Sequence, residues 1–139
     1  MMRVPQRVDY ALRVLTLLAS GPPDTYVPAG ELARRLLLPQ RFVEQQVTSL
    51  SRAGIVKSRR GASGGCALAL PAARLTVRDV VLAIQGDVLD VPRQRGQATA
   101  EIWLQAAHVL DEYLGEVTLE QIAARQRALD AIRAPMYFI

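Results

Sequence analysis

Residues 29–65 read AGELARRLLLPQRFVEQQVTSLSRAGIVKSRRGASGG, and this stretch decides the fold. Apolar residues recur at helical spacing over 29–36, which predicts a short helix that ends at the turn Leu37-Leu38. Pro39 is favourable at the first position of a helix, so we expect a second helix from there to about Ala53, where a glycine follows. Two short helices joined by a tight turn are typical of a helix-turn-helix.

A β-hairpin is predicted directly after the second helix. Residues 55–60 read as an extended period-two stretch, a glycine-rich turn covers 61–65, and residues 66–70 are again extended. Basic side chains before the turn suit contact with a phosphate backbone, and glycines let another backbone approach closely. A nucleotide-phosphate loop is the alternative for this turn, and it is excluded because no Gly-Lys-Ser/Thr follows. The hairpin residues predicted to contact nucleic acid are Lys57, Arg59, Arg60, Gly64 and Gly65.

The second helix of the pair is predicted to have two different faces. Val43, Val47 and Leu50 are spaced at i, i+4 and i+7 and are expected to pack inward. The opposite face carries hydrogen-bonding side chains that can reach base edges in a major groove. An ordinary solvated face is the alternative, but the basic hairpin favours base reading, in which Glu44 either accepts from cytosine or orients Arg41. The predicted base-reading residues are Gln40, Arg41, Glu44, Gln45 and Thr48.

The whole chain is predicted to be mainly α-helical with a small β-wing. A winged helix-turn-helix is followed by a long C-terminal helix for dimerisation. Short capping boxes mark two helix starts, one of them with aspartate in place of the usual glutamate. The other predicted elements are a helix over 5–20, a helix to about residue 85 capped by Thr76 and Asp79, a loop over 87–97, the long helix over 98–115, and a last helix to about 132 capped by Thr118 and Gln121.

An apolar stripe runs along the long helix. Residues before Ile84 are expected to supply the core of the winged domain, so the stripe would be exposed on a monomer and would form the interface of a homodimer. The alternative is that the stripe packs on the first or last helix of its own chain. We therefore divide the chain into a DNA-binding domain over 1–85, a linking loop over 86–97 and a helical dimerisation region over 98–139. The stripe residues are Ile102, Ala106, Val109, Leu110, Tyr113 and Leu114.

The charge of the chain is unevenly distributed. Residues 1–78 hold 12 basic and 4 acidic residues, a net +8, whereas residues 79–139 hold 5 and 9, a net −4. A basic front half predicts a polyanionic partner such as double-stranded DNA. The single cysteine excludes an intrachain disulfide and suits a cytoplasmic location. The first apolar stretch is interrupted by charge, so we expect neither a signal peptide nor contact with a membrane.

Several collinear motifs resemble the Rrf2 family of bacterial winged helix-turn-helix regulators. Asp9–Arg13 resembles the opening helix of that family, and Phe42–Gln45 resembles its YLEQ recognition helix. Leu50–Ser58 and Arg60–Gly65 together resemble L-x-x-AGLVKSxRGxxGGY, and Thr76–Val81 resembles the helix after the wing. The resemblance covers most of residues 1–85, and it implies a DNA-binding regulator whose long helix forms the dimer interface.

The loop before the long helix departs from the family pattern. Cluster-binding members carry three cysteines there, whereas residues 87–97 contain none. The resemblance therefore implies a regulator without cofactor or metal, which answers to an unknown small-molecule or redox signal. Cys66 stands where the family has an aromatic residue. It is either a small apolar residue of a wing strand or a redox-sensing thiol whose thiolate is favoured by Arg59 and Arg60.

These observations predict a sequence-specific transcriptional regulator, a repressor that binds a palindromic operator as a homodimer. A winged-helix adaptor that binds proteins without operator specificity is the alternative, and the arginine-rich wing argues against it. An enzyme is not expected, because the chain has one cysteine and one histidine far apart and no carboxylate pair at a site spacing. His108 is interpreted as a surface or interface residue of the long helix.

Overall fold

The computed structural model describes residues 3–133. In that range the chain forms six α-helices, one two-stranded antiparallel sheet and a short 3-10 turn at Ala72–Arg74 that the sequence did not predict. Within the same range, no helix is both long enough and apolar enough to cross a membrane. The elements are α1 Gln6–Ser20, α2 Ala29–Leu36, α3 Gln40–Arg52, β1 Val56–Arg59, β2 Gly65–Leu68, α4 Val77–Gln85, α5 Ala98–Glu116 and α6 Leu119–Arg133.

Local capping signals set the helix starts. Both predicted capping boxes are present: the Thr76 hydroxyl accepts from the Asp79 backbone N–H at 3.2 Å, and the Asp79 carboxylate accepts from the Thr76 N–H at 2.9 Å. Thr118 and Gln121 exchange the same two bonds at 3.2 and 2.9 Å. The sequence predicts Pro39 at the first position of α3, whereas in the structure Pro39 is the N-cap residue and the helix begins at Gln40. The ψ of Pro39 is 132°, which is an extended and not a helical value.

The wing, which consists of β1, β2 and the turn between them, is widened by a third extended segment. Val27, which lies before α2, exchanges two backbone hydrogen bonds of 2.9 Å with Cys66 of β2. The strands are four residues each and shorter than the predicted runs over 55–60 and 66–70; β2 begins one residue before its predicted run, at Gly65, and ends two residues early, at Leu68. The pairs across the sheet are Val56 with Leu68, Lys57 with Ala67, Ser58 with Cys66, and Arg59 with Gly65.

The hydrophobic core includes residues from both ends of the described chain. Leu15 of α1, Leu32 of α2 and Leu50 of α3 are completely buried in it, and so is Leu119 of α6. The expectation that residues before Ile84 supply this core is therefore wrong for α6. The physical reason is that the apolar face of α1 must be covered by other helices, and α6 packs along α1. The proposed boundary between residues 97 and 98 stays a prediction.

The predicted stripe on α5 divides between two faces of the helix. Leu114 packs against the buried Val8, Val77 and Val81, and Leu110 lines a cleft beside the same residues. An ion pair of 3.3 Å between Arg78 and the Asp111 carboxylate fixes α5 to α4. The six residues are therefore not one exposed stripe, because they extend too far around the helix. The members that remain exposed, called the outer stripe below, are Ile102, Ala106, Val109 and Tyr113, of which Ala106 also lines the edge of that cleft.

Candidate nucleic-acid interface

The outward face of α3, the recognition helix, carries the five residues that the sequence predicted. Gln40, Arg41, Glu44, Gln45 and Thr48 are all exposed in the structure. The inward face differs in one respect from the prediction, because Gln46 is buried beside Val43 and Leu50 whereas Val47 is half-buried. The helix therefore packs on the core and leaves a continuous row of donors and acceptors facing solvent.

Glu44 has a different partner from the one considered in the sequence. Its carboxylate accepts a hydrogen bond of 3.0 Å from the Gln40 side-chain amide, so it orients Gln40 rather than Arg41. The Gln40 amide also lies against Gly30 of α2, where a Cβ would be 3.3 Å from its oxygen. The Thr48 hydroxyl donates to the Glu44 carbonyl at 3.0 Å. These contacts hold the polar end groups of the α3 face in fixed positions.

Two arginines of α2 belong to the candidate interface, although the sequence alone did not single them out. The Glu31 carboxylate accepts from Arg34 Nε at 2.9 Å and from Arg35 Nε at 2.9 Å. These two side-chain hydrogen bonds lower the pKa of Glu31 to about 2, so the carboxylate is ionised at neutral pH. In helix-turn-helix proteins the first helix crosses the DNA backbone. Two arginines that share one carboxylate keep a net positive charge, which suits contact with phosphate. The spacing of Arg34 and Arg35, three and four residues after Glu31, is the sequence pattern that could have indicated this cluster.

The basic residues of the wing are held to different degrees. Lys57 Nζ lies 3.0 Å from the Asp24 carboxylate, and this contact raises the pKa of the lysine. The Arg59 guanidinium donates to the Ser63 carbonyl at 2.9 Å and lies 4.1 Å from the centre of the Tyr26 ring. Arg60 is exposed, and within residues 3–133 it has no ion pair. Arg60 is thus free to reach a phosphate group.

The wing glycines have a role in their own chain. Gly65 has a φ of +134°, and a Cβ there would collide with the backbone of Val27. A Cβ on Gly64 would collide with the Arg59 carbonyl. Both glycines are therefore needed to close the hairpin against neighbouring backbone. Their predicted contact with DNA stays a prediction, but the shape of the wing already requires them.

Cys66 lies on the inner side of the wing. Its side chain is buried in the same core as Val56 and Leu15, and burial raises the pKa of the Cys66 thiol to about 11. The hypothesis that Arg59 and Arg60 favour a thiolate is wrong, because burial of the thiol raises its pKa and neither arginine offsets this effect. Arg59 moreover projects from the opposite face of the sheet. The structure favours the interpretation of Cys66 as a small apolar residue of the strand.

Comparison with known proteins identifies the family. A family model named Rrf2, described as an iron-dependent transcriptional regulator, matches residues 4–125. The chain belongs to the Rrf2 family. The HTH-type transcriptional regulator CymR of Bacillus subtilis is 28% identical over 125 residues, which cover 88% of this chain and 91% of CymR. IscR of Xenorhabdus nematophila is 27% identical over 138 residues, which cover 93% and 84% of the two chains.

Solved structures of Rrf2 regulators have the same fold. CymR of B. subtilis, described as its global cysteine regulator, matches with a TM-score of 0.81 at 28% identity over 90% of this chain and 98% of CymR. IscR of T. potens matches with a TM-score of 0.78 at 27% identity over 98% and 95%. This Rrf2 protein is therefore a DNA-binding transcriptional regulator of winged-helix fold and not an enzyme, which confirms those predictions.

The loop over 86–97 does not supply the thiolates that normally hold an iron–sulfur cluster. The loop over 86–97 offers the carboxylates of Asp87 and Asp90 but no thiol. Cys66 is remote from this loop in the sequence and buried in the wing. Among residues 3–133, no three His, Cys, Asp or Glu side chains lie close enough together to hold a metal ion. Clusters of this kind need thiolate ligands, which this set does not supply.

Proposed function

We propose that this Rrf2 protein is a repressor that binds a palindromic operator as a homodimer. The observation that carries the proposal is the exposed polar face of α3, which lies between two basic elements. Arg34 and Arg35 of α2 precede this face in the chain, and the basic residues of the wing follow it. In this arrangement α3 enters the major groove, while α2 and the wing contact the flanking phosphates or the minor groove.

A twofold arrangement follows from the size of the binding site. One recognition helix reads only a few base pairs, which is too little to single out one site in a genome. Two copies related by a twofold axis read two half-sites separated by whole helical turns of DNA. The outer stripe of α5 supports this arrangement, because it exposes Ile102, Val109 and Tyr113 in a single protomer. Repression follows where such an operator overlaps a promoter, since the bound dimer excludes the polymerase.

Two single substitutions test the separate roles of the wing and the recognition helix. Arg60→Ala should weaken binding to the operator and to random DNA by similar factors, and should make the dependence of log affinity on log salt shallower by about one unit per lost phosphate contact. Glu44→Ala should keep that salt slope and relax base preference at one position per half-site, because it removes a carboxylate that faces the bases and orients the Gln40 amide.

Titration of labelled DNA at several salt concentrations measures the first effect, and selection of sites from random DNA measures the second. Ser49→Ala on α3 is the matched control, since Ser49 is half-buried, lies outside the predicted base-reading set and donates to the Gln45 carbonyl at 3.3 Å. Unchanged affinity and salt slope in Arg60→Ala would remove that residue from the interface. An unchanged selected motif in Glu44→Ala would show that this carboxylate does not read a base.

We also propose that the signal is not sensed through a cluster or through Cys66. Protein purified without oxygen should contain no stoichiometric iron, and its thiol should react slowly with a thiol reagent. At pH 8, the raised pKa of about 11 lowers the thiolate fraction roughly 100-fold relative to the ordinary value of 9.0, and burial slows the reaction further. Below pH 9 the thiol is protonated in both folded and unfolded chains, so its titration lowers stability only as the pH rises from about 9 towards 11.

Iron analysis and the rate of labelling before and after unfolding in urea provide the measurements. Stoichiometric iron, or labelling of the native protein as fast as of the unfolded chain, would contradict this proposal.

A further inference from the structure

The register of the wing places Tyr26 beside two basic residues of β1. Val27 pairs with Cys66 in an antiparallel bridge, so the adjacent position brings Tyr26 opposite Ala67. Ala67 in turn pairs with Lys57 on its other side. Residues directly opposite each other share one face of a sheet, so Tyr26, Ala67 and Lys57 form one row across the wing. The pair of Arg59 and Gly65 is two residues further along the strands and therefore lies on the same face of the sheet as this row.

Small residues in the middle strand let the Tyr26 ring reach across to β1. Ala67 is almost completely buried, and Gly65 has no side chain that could stand between Tyr26 and Arg59. The ring centre consequently lies 4.1 Å from the Arg59 guanidinium carbon and 5.8 Å from Lys57 Nζ. Both distances are within the range in which a cation is attracted to the face of an aromatic ring.

Arg59 is held from a second direction as well. One of its N–H groups donates to the Ser63 carbonyl at 2.9 Å, inside the turn of the wing. A guanidinium has five N–H donors in a fixed plane, so this bond leaves the others available for DNA. Stacking on Tyr26 fixes the orientation of that plane. A side chain that is already ordered loses less freedom on binding than a mobile one.

We propose that Tyr26 is a positioning residue of the DNA interface, which holds the Arg59 guanidinium in the orientation that contacts DNA. This role lies outside the helix-turn-helix and the hairpin, in the segment that precedes α2. It rests on the proposed function, because it requires that the wing contacts the operator. The ring acts through Arg59, so its removal should matter only while Arg59 is present.

The test compares two substitutions of Tyr26. Tyr26→Leu keeps an apolar side chain over Ala67 but removes the aromatic face, and it should lower operator affinity about 3- to 10-fold, the cost of ordering one arginine on binding. Tyr26→Phe keeps the face and should bind within about 2-fold of the wild type. Thr25→Ala is the matched control, because the exposed Thr25 hydroxyl donates within its own loop to the Pro23 carbonyl.

The same two substitutions are then made in an Arg59→Ala background, with thermal unfolding measured for every variant. The inference predicts that Tyr26→Leu has no further effect on affinity there, and that all variants stay folded at the assay temperature. Equal losses in both backgrounds, or an equal loss in Tyr26→Phe, would show that Tyr26 does not act through stacking on Arg59. If Arg59→Ala alone leaves affinity unchanged, the Arg59 guanidinium does not contact DNA and this proposal is overturned, whereas the wing contact of the proposed function is judged separately from Arg60→Ala. If Tyr26→Leu binds more tightly, the ring withholds Arg59 from DNA and the proposal is overturned.

Discussion

Replacing Val109 and Tyr113 together with lysine should convert the proposed homodimer to a monomer and lower operator affinity by roughly 100-fold or more. The two side chains are 56% and 60% exposed in one protomer, and with Ile102 and Ala106 they form the outer stripe. At a twofold interface each substitution occurs twice, so four ammonium groups would be buried close together without partners. Light scattering measures the mass, and titration of operator DNA measures the affinity.

The control for this experiment comes from the same helix. Leu104→Lys introduces the same charge at a residue that is 41% exposed, about half a turn away from Ile102 around α5. It should leave the dimer and its operator affinity unchanged. Leu110 is unsuitable as a target, because it lines the cleft against α1 and α4 of its own chain. A folded dimer with normal affinity after the double substitution would place the twofold axis elsewhere.

Local signals in the sequence were sufficient to place most helices. Thr76 and Thr118 each precede a residue that completes a capping box, and both boxes are present in the structure. Pro39, which the sequence indicates as the start of a helix, is the N-cap residue of α3, and its φ of −60° is set by its own ring. These signals act over three or four residues, so they can be recognised without knowing how the chain packs.

The candidate site was predictable where a single helix decides it. The outward residues of α3 follow from helical spacing alone, and each of the five is exposed. The contact between Tyr26 and Arg59 was not predictable, because the two residues are far apart in the sequence. It depends on the bridge between Val27 and Cys66, and on the absence of a side chain at Gly65. Periodicity within one element carries no information about such a bridge.

The sequence also could not show which apolar residues of α5 are buried and which are exposed. The sequence shows that Leu110, Leu114, Val109 and Tyr113 are apolar, but these residues cover more than one face of the helix. The structure assigns the first two to the α4 side and leaves the second two exposed. The choice depends on the angle at which α5 meets α4, which the ion pair between Arg78 and the α5 carboxylate helps to fix. An angle of this kind is a tertiary property.

Leu119→Ala should destabilise the protein by about 2–5 kcal/mol, as expected for truncation of a fully buried leucine. Leu119 begins α6, is completely buried, and belongs to the core cluster that includes Leu15 and Leu50. Its backbone N–H also donates to the Leu75 carbonyl at 2.9 Å, so the start of α6 is tied to the segment before α4. The cavity would therefore open inside the DNA-binding domain, although the residue lies in the region assigned to dimerisation.

Urea denaturation at one fixed protein concentration measures this effect, because the stability of the proposed dimer would depend on concentration. Leu50→Ala in α3 should cost a similar amount and should lower the midpoint of the same single transition, since both leucines belong to one core. Ile132→Ala is the matched control on α6, and it should change stability by less than about 0.5 kcal/mol because its side chain is 70% exposed. A loss of stability in Leu119→Ala no larger than in Ile132→Ala would mean that α6 is not part of the DNA-binding core. Two separate transitions would mean that α6 folds apart from it.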